Sequence, residues 1–341
     1  MKVLKFGGTS VANSKSLNKV LEIIKNQNEP IVVVVSALGG ITDLLMEMLD
    51  LAESRKDNFK SNLSKIEKIH LEPVKKCIPI QNQSGIISYL KKHLNELESR
   101  LDAIFLLEEV TKKNNDSVSA YGEILSSNII NEIFKHNEIK SELKDARELI
   151  QTENHSGREI VNEIVTDQQI KNYFNNTKSK VVIVPGFIAS NRSGVTTTLG
   201  RGGSDYSAAI IANSIEADMF EIWTDVSGIY TAHPKIVTQA KPIKKLSYYE
   251  AMELSHFGAK VIYPPTLQPI IEKNIPILVK NTFAPEDKGT LIDNSKISEN
   301  SEIVKGISHI DNVAVLNLEG SGMIGITGFS KRLFEALSDK N

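Results

Sequence analysis

Six consecutive positions, Gly200 to Asp205 within TTLGRGGSDYSAA, hold three glycines, an arginine, a serine and an aspartate. An apolar stretch suited to a helix follows, which puts Gly200, Gly202 and Gly203 at a helix N-terminus with Ser204 or Asp205 as the expected N-cap. Unpaired N–H groups and the helix dipole there favour a negative ligand by roughly 0.3–1 kcal/mol when exposed and up to ~2 kcal/mol when partly buried. Arg201 adds a planar fork suited to a carboxylate, where a charge-assisted hydrogen bond is worth roughly 1.5–3 kcal/mol. The plainer alternative is a flexible loop held by an Arg201–Asp205 pair.

A second glycine pair lies in KFGGTS, residues 5 to 10. Lys5 at a strand end supplies a compact positive charge, and Gly7 and Gly8 let backbone N–H groups approach an anion without a Cβ in the way. Phosphate is the natural guest, although two glycines after a strand also make an ordinary turn. The spacing is neither GxxxxGK[ST] nor GxGxxG. A third cluster, WTDVSGIYTAHPK at 223 to 235, ends a strand with Thr224 and Asp225, where open α/β sheets bind ligands. Glu123 falls in a first helical turn, by default a favourable dipole contact, and gains a role only as partner to a ligand amine. Lys260 in HFGAKVIYPPT reads by default as a solvated lysine.

These groups need elements to carry them. Val3 to Phe6 reads as a short strand running into the glycine pair, and Ser14 to Lys25 carries Leu17, Val20, Leu21 and Ile24 at helical spacing. Pro30 then precedes five β-branched residues, Ile31 to Val35, the pattern of a parallel strand buried on both faces. The alternation returns with strands at 181–184, 219–223 and 277–279 and helices at 204–214 and 248–255. The expected fold is α/β, an open, mostly parallel sheet sandwiched by helices.

Residues 57–116 are rich in Lys and Glu and read as a helical insertion. Leu90, Leu94, Leu97, Leu101, Ile104 and Leu107 form one apolar stripe on a long helix. A helical pair packed on its own domain and a dimer contact both account for it. Residues 293–302 are polar and aperiodic, a linker between a catalytic domain over 1–292 and a partial module over 303–341. That module is expected to hold a strand at 313–318, a turn at 320–325 and a helix at 329–337, too little to bury a core by itself.

The 341 residues, 40% of them hydrophobic, suffice for a substantial core, and a formal charge of −2 offers no basic field for nucleic acid or an anionic membrane. The single cysteine, Cys77, excludes an internal disulfide framework and thiolate metal sites. The seven histidines, His233 among them, show no ligand spacing. With no secretory h-region or membrane-length apolar run, a cytoplasmic protein is expected.

Taken together, KFGGTSVAN, VVSALGGITDLL, the Gly122-Glu123 pair, PGFIAS, TTLGRGGSDYSAA, IWTDVSGIYTAHP and SHFGAKVIYPPT resemble the aspartate kinases of the amino acid kinase superfamily over nearly the whole chain. EAMELSHFGAK, IPILVKNTF, GTLI and VKGIS are similar to the kinase portion of bifunctional aspartate kinase–homoserine dehydrogenases. The residues after 302 resemble the start of an ACT-type regulatory domain.

The resemblance implies phosphorylation of the L-aspartate β-carboxylate by ATP with Mg²⁺, at the head of lysine, threonine and methionine synthesis. It further implies a lysine or threonine effector and a homodimer or larger homo-oligomer. Carried over by position, Lys5 contacts the transferring phosphoryl group, and Gly7, Gly8, Gly202 or Gly203 supply backbone donors. Arg201 pairs with the substrate α-carboxylate and Glu123 with its α-amine, while Ser36, Thr42, Phe187 and Ser204 match substrate-side positions. Asp205 orients substrate, Lys5 or Mg²⁺. Thr224, Asp225, Tyr230, Lys235 and Lys260 match the nucleotide side. His233, Lys235 and Tyr263 depart from the family pattern, and a lysine at 235 loses a bidentate fork. Kinases of glutamate or acetylglutamate, and a catalytically silent regulatory subunit, are the competing readings. Lys5 itself is expected to face solvent at its strand end and to matter little to the core.

Overall fold

The computed structural model describes residues 1–155, 158–256, 262–294, 304–314, 317 and 328–338. Two compact units divide at Ser308 and His309. The first opens with β1 (Lys2–Phe6), α1 (Ser14–Lys25), β2 (Ile31–Val35) and α2 (Ile41–Glu53). A helical stretch follows, α3 (Phe59–Cys77), α4 (Gln83–Leu107), α5 (Lys112–Ser119) and α6 (Tyr121–His136), then β3 (Ser141–Leu143). Next come β4 (Gln151–His155), β5 (Arg158–Val161), α7 (Glu163–Asn176), β6 (Val181–Pro185), β7 (Ile188–Asn191), β8 (Thr196–Thr198), α8 (Gly203–Ser214) and β9 (Met219–Thr224). The unit closes with β10 (Lys245–Ser247), α9 (Tyr248–His256), α10 (Leu267–Glu272), β11 (Ile277–Asn281) and β12 (Thr290–Asp293).

Eight of these strands form one sheet in the order β10-β12-β11-β9-β1-β2-β6-β3, parallel throughout except where β11 meets β12. β5, β4, β7 and β8 form a second, smaller sheet. The expected open, mostly parallel sheet is therefore what the chain builds. β2 is buried at all five positions because helices cover both faces. Ile31, Val33 and Val35, with Leu4 and Phe6 of β1, join the core under α1, α2, α4 and α6. Val32 and Val34, with Val3, join the core under α8. Period-two alternation thus assigns Lys5, two residues after Val3, to the α8 side.

α3 and α4 pack on each other and on α2 and α6, so the Lys- and Glu-rich stretch keeps its apolar stripe inside its own unit. One expected member differs: Leu90, Leu94, Leu97, Leu101 and Ile104 are buried, but Leu107 is 71% exposed. The helix ends there, with Glu108 turning left-handed at φ 54°, and its last turn overhangs the core. Residues 304–308 belong to the first unit, since the Ile307 N–H donates to the Thr231 carbonyl and Lys305 pairs with Glu250.

In the second unit α11 (Phe329–Ser338) forms where a helix is expected. Val313 and Ala314 are not in a strand, and the rest of the strand expected at 313–318 lies outside the described residues but for Asn317, which is not in a strand either. The turn at 320–325 is likewise outside the described residues. No helix among the described residues is long and apolar enough to cross a membrane.

The contrast along α4 is directly measurable. Leu101→Ala removes a fully buried side chain and is expected to lower unfolding free energy by about 2–5 kcal/mol, whereas Leu107→Ala should stay within about 0.5 kcal/mol of the parent. Urea denaturation of the two variants checks it, and equal losses would contradict the packing described.

Candidate active site

The chain lays down β1, β2 and β6 on one side and returns to place β9 on the other flank of β1. Such a reversal leaves a crevice beyond the carboxyl ends of the strands. β1, β2 and β9 run in register, Phe6 beside both Val35 and Trp223, so they end at one level and their loops share that crevice. A cavity of about 660 Å³ lies there. It is lined by Lys5 and Gly8 from β1 and its turn, Ser36 and Thr42 around the α2 N-terminus, Glu123 of α6, Phe187, and Arg201 to Asp205. The two glycine clusters, far apart in sequence, therefore meet.

Lys5 Nζ lies 2.6 Å from Asp205 Oδ1, with side chains only 11% and 16% exposed. The solvent-facing lysine expected from the sequence is thus corrected: its parity on β1 turns it under α8, whose first turn carries Asp205. The alternative Arg201–Asp205 pair does not form. Arg201 is exposed at the cavity mouth, and its guanidinium bonds to nothing among the described residues.

The expected N-cap also shifts. α8 starts at Gly203, and its cap is Gly202 at φ 68° with no capping side chain. A Cβ on Gly202 would stand 2.5 Å from Tyr263 Cδ1, so glycine is required both for the left-handed backbone and for the aromatic ring behind it. Ser204 and Asp205 consequently sit inside the helix. Gly203 N–H donates to the Gly200 carbonyl and Gly7 N–H to the Trp223 carbonyl, so neither serves as the anion donor expected of it. The N–H groups of Gly8, Gly202, Ser204 and Asp205 donate to no protein group among the described residues and border the cavity.

Glu123 is 4% exposed and its Oε2 has no hydrogen-bond partner among the described residues. Desolvation by burial pushes its carboxyl up to about 8, against the backbone N–H groups of Ala37 and Glu123 and the charge of Lys5. Gly122 makes this burial possible: a Cβ there would come 2.7 Å from that of Ala37, so α6 can press against the 36–40 loop. Ser126 Oγ donates to the Ser36 carbonyl across the same contact. Phe187 is held at φ 67°, its N–H donating to Ser207 Oγ and its carbonyl accepting from Leu199 N–H.

The nucleotide-side set is less concentrated. Thr224 ends β9 and Asp225 follows it, beside the Gly7 turn, with Thr224 Oγ1 donating to Asp225 Oδ1 at 3.2 Å. Tyr230 pairs with Pro242 in an isolated bridge, and Lys235 is exposed with its N–H donating to His233 Nδ1. None of these four lines the cavity. Lys260 lies outside the described residues. Trp223 stacks on Phe6 at 5.9 Å, donates from Nε1 to Glu221, and carries the Lys280 ammonium 5.1 Å above its ring.

Sequence reasoning missed Asp43, Met46, Asn115, Ser119 and Thr198, which also line the cavity. Met46 lies one turn after Thr42 on α2 and could have been found by helix periodicity. Asn115 and Ser119, one turn apart on α5 with Ser119 Oγ donating to Asn115 Oδ1, lie in or beside the stretch read as a helical insertion. Buried Asp116 accepts from Thr198 Oγ1 at 2.7 Å and ties α5 to the strand leading into Arg201.

A model described as the amino acid kinase family matches residues 1–281. The chain is 34% identical to bifunctional aspartokinase/homoserine dehydrogenase 1 of Arabidopsis thaliana, over 99% of this chain and 38% of that protein. It is 32% identical to lysine-sensitive aspartokinase 3 of Escherichia coli, over 99% of this chain and 74% of that protein. The crystal structure of E. coli aspartokinase III in complex with aspartate and ADP matches with a TM-score of 0.80 at 32% identity, over 90% of this chain and 67% of that one. The same enzyme in complex with lysine and aspartate gives 0.83 at 30% identity, over 100% and 75%. The chain spans less than half the length of the bifunctional relatives it matches.

The raised Glu123 carboxyl makes stability depend on pH with a definite sign. The folded chain keeps a proton that the unfolded chain releases near 4.5, so this group's contribution is complete below 4.5 and is lost as pH rises through about 8. Glu123→Gln removes that loss. Its melting temperature relative to the parent is expected to climb between pH 5 and pH 8.5, by an amount worth up to a few kcal/mol at about 1.4 kcal/mol per pKa unit. A difference that stays flat across the range would show that Glu123 is not held neutral.

Proposed function

The chain belongs to the amino acid kinase family, among its aspartokinases, and from that premise we propose that it transfers the γ-phosphoryl group of ATP to the β-carboxylate of L-aspartate. One observation carries the substrate: a buried carboxyl, Glu123, whose Oε2 has no partner among the described residues, and the guanidinium of Arg201, unpaired among them, border the same cavity as Lys5. A free amino acid offers an ammonium for the first and a carboxylate for the second. An N-acylated substrate leaves Glu123 with nothing cationic to meet. The E. coli relative's complexes with aspartate, ADP and lysine support the same reading.

The chemistry suits the parts. Aspartate's β-carboxylate is already ionised at pH 7, so no general base is needed. The barrier lies in bringing two anions together in line, which calls for fixed positive charge and N–H donors. A carboxylate oxygen attacks the γ-phosphorus, the bond to the β,γ-bridging oxygen breaks, ADP departs, and an acyl phosphate remains. Lys5, aimed by Asp205, neutralises charge on the phosphoryl oxygens. The free N–H groups of Gly8 and of the α8 N-terminus complete the cradle. Ser36, Thr42, Phe187 and Ser204 shape the substrate side.

Mg²⁺ enters with ATP as part of the co-substrate. Asp205 is committed to Lys5, and no group of three His, Cys, Asp or Glu converges among the described residues, so phosphate oxygens and water would hold the ion. Thr224, Asp225, Tyr230, Lys235 and Lys260 are assigned to the nucleotide, residues 1–292 to the catalytic domain, and residues from 303 to the start of an ACT-like regulatory module. A lysine or threonine effector, a homo-oligomer and a cytoplasmic setting complete the reading.

ADP release is expected with aspartate and not with glutamate or N-acetylglutamate, in a coupled assay; preference for either of the latter refutes the substrate. Lys5→Ala should cut turnover by about 10²–10³-fold, the scale of losing one transition-state stabiliser, and should lower the melting temperature because Asp205 is left unpaired. An unchanged rate removes Lys5 from the mechanism. Since the substrate ammonium needs ionised Glu123, the KM for aspartate should fall as pH rises toward 8; a KM constant from pH 6 to pH 8.5 contradicts that pairing.

A further inference from the structure

The last residue of KFGGTS has no role in the reaction as described, and it never reaches the cavity. Ser10 is 0% exposed. Its Oγ donates to the Trp223 carbonyl at 3.2 Å and lies 2.7 Å from Oγ1 of Thr282, which is also 0% exposed. A hydroxyl has one proton to give. With Ser10 donating to Trp223, Thr282 must be the donor to Ser10, and the two form a directed relay.

Three further hydrogen bonds meet at this node. The Trp223 carbonyl also accepts from Gly7 N–H at 3.2 Å, and Ser10 N–H closes the turn onto the Gly7 carbonyl at 2.9 Å. Thr282 N–H donates to the Thr224 carbonyl at 2.8 Å. On the far side of the turn, a Cβ on Gly8 would stand only 3.2 Å from the Ala37 carbonyl, so the turn also abuts the 36–40 loop. The relay therefore fastens the turn after β1 to the ends of β9 and β11.

We propose that Ser10, acting through Thr282 and the Trp223 carbonyl, is a positioning residue that fixes Gly8 N–H and Lys5 relative to Thr224 and so sets the alignment of the nucleotide phosphates. The inference rests on the reading of this cavity as a nucleotide-phosphate site. Removing the Ser10 hydroxyl leaves the Trp223 carbonyl with one donor and Thr282 without its acceptor, in a place water does not reach. The turn then loses the tie that sets its height above the sheet, while Glu123, Arg201 and Ser36, carried by other elements, keep theirs. The effect should fall on nucleotide and rate, and spare the amino acid.

The test compares Ser10→Ala, Thr282→Val, Thr282→Ser and the Ser10→Ala/Thr282→Val double variant. ADP affinity is measured by calorimetry without amino acid, and KM for ATP, KM for aspartate and kcat by the coupled assay. Ser10→Ala and Thr282→Val are each expected to weaken ADP binding, raise the KM for ATP and lower kcat by about three- to tenfold, the range of one lost hydrogen bond. The KM for aspartate should stay within twofold. Thr282→Ser, which keeps the hydroxyl, should match the parent, and the double variant should be no worse than either single one because both changes break one relay.

Three results would overturn the proposal: altered melting temperature with unchanged ADP affinity and kcat, equal rises in both KM values, or a Thr282→Ser as impaired as Thr282→Val. If a single variant fails to fold, the double variant, which strands neither hydroxyl, supplies the measurement. If the parent turns over no aspartate, the substrate reading fails by itself, and the ADP titrations still decide the role of Ser10.

Discussion

A lysine ammonium and an aspartate carboxylate, 2.6 Å apart and largely withdrawn from water, join the first strand of the chain to the first turn of α8. Such a pair is a poor source of stability, since desolvating both charges offsets most of their attraction. What it fixes is position. Lys5 cannot swing into solvent, and the α8 N-terminus cannot drift from the end of β1. Two anions can share a crevice only if positive charge waits there already oriented, and the register of β1, β2 and β9 makes that possible by ending three strands at one level.

Much of this arrangement was readable in the residues. Five β-branched positions in a row could be accommodated only by a strand covered on both faces, and β2 is buried throughout. The helical spacing of Leu17, Val20, Leu21 and Ile24 gave α1, and the small-residue stretch after the glycines gave α8. Other features depended on partners distant in sequence. Ser204 and Asp205 have strong N-cap preference, yet Tyr263 behind Gly202 and the left-handed turn there move the cap back. Glu123 looks like any first-turn acid, and its burial follows from Gly122 letting α6 close on Ala37. Asn115 and Ser119 were hidden because α5 reads as the end of a helical insertion, and only the fold brings it beside β8 and the 200–205 turn. Lys5 was misjudged for a simpler reason, since strand parity alone, counted from Val3, would have turned it inward.

The same tight contacts divide labour across the crevice. One bank is built on α6, the 36–40 loop and the turn before α8, while β9, β11 and the segment after them form the other. Phe187 at φ 67° belongs to the first bank, where backbone strain is tolerated because Ser207 and Leu199 hold it from both ends. The two banks are therefore carried by separate elements of the chain.

Trp223 is the sole tryptophan of the chain, and its backbone and ring face different neighbours. The carbonyl receives the glycine turn, while the indole lies between Phe6 and the Lys280 ammonium with its N–H on Glu221. Indole emission shifts with nearby charge, so the protein carries a built-in optical gauge at the strand end beside the Gly7-Gly8 turn. Any ligand that displaces that loop or the Lys280 charge announces itself as a change of colour and intensity, with no label attached.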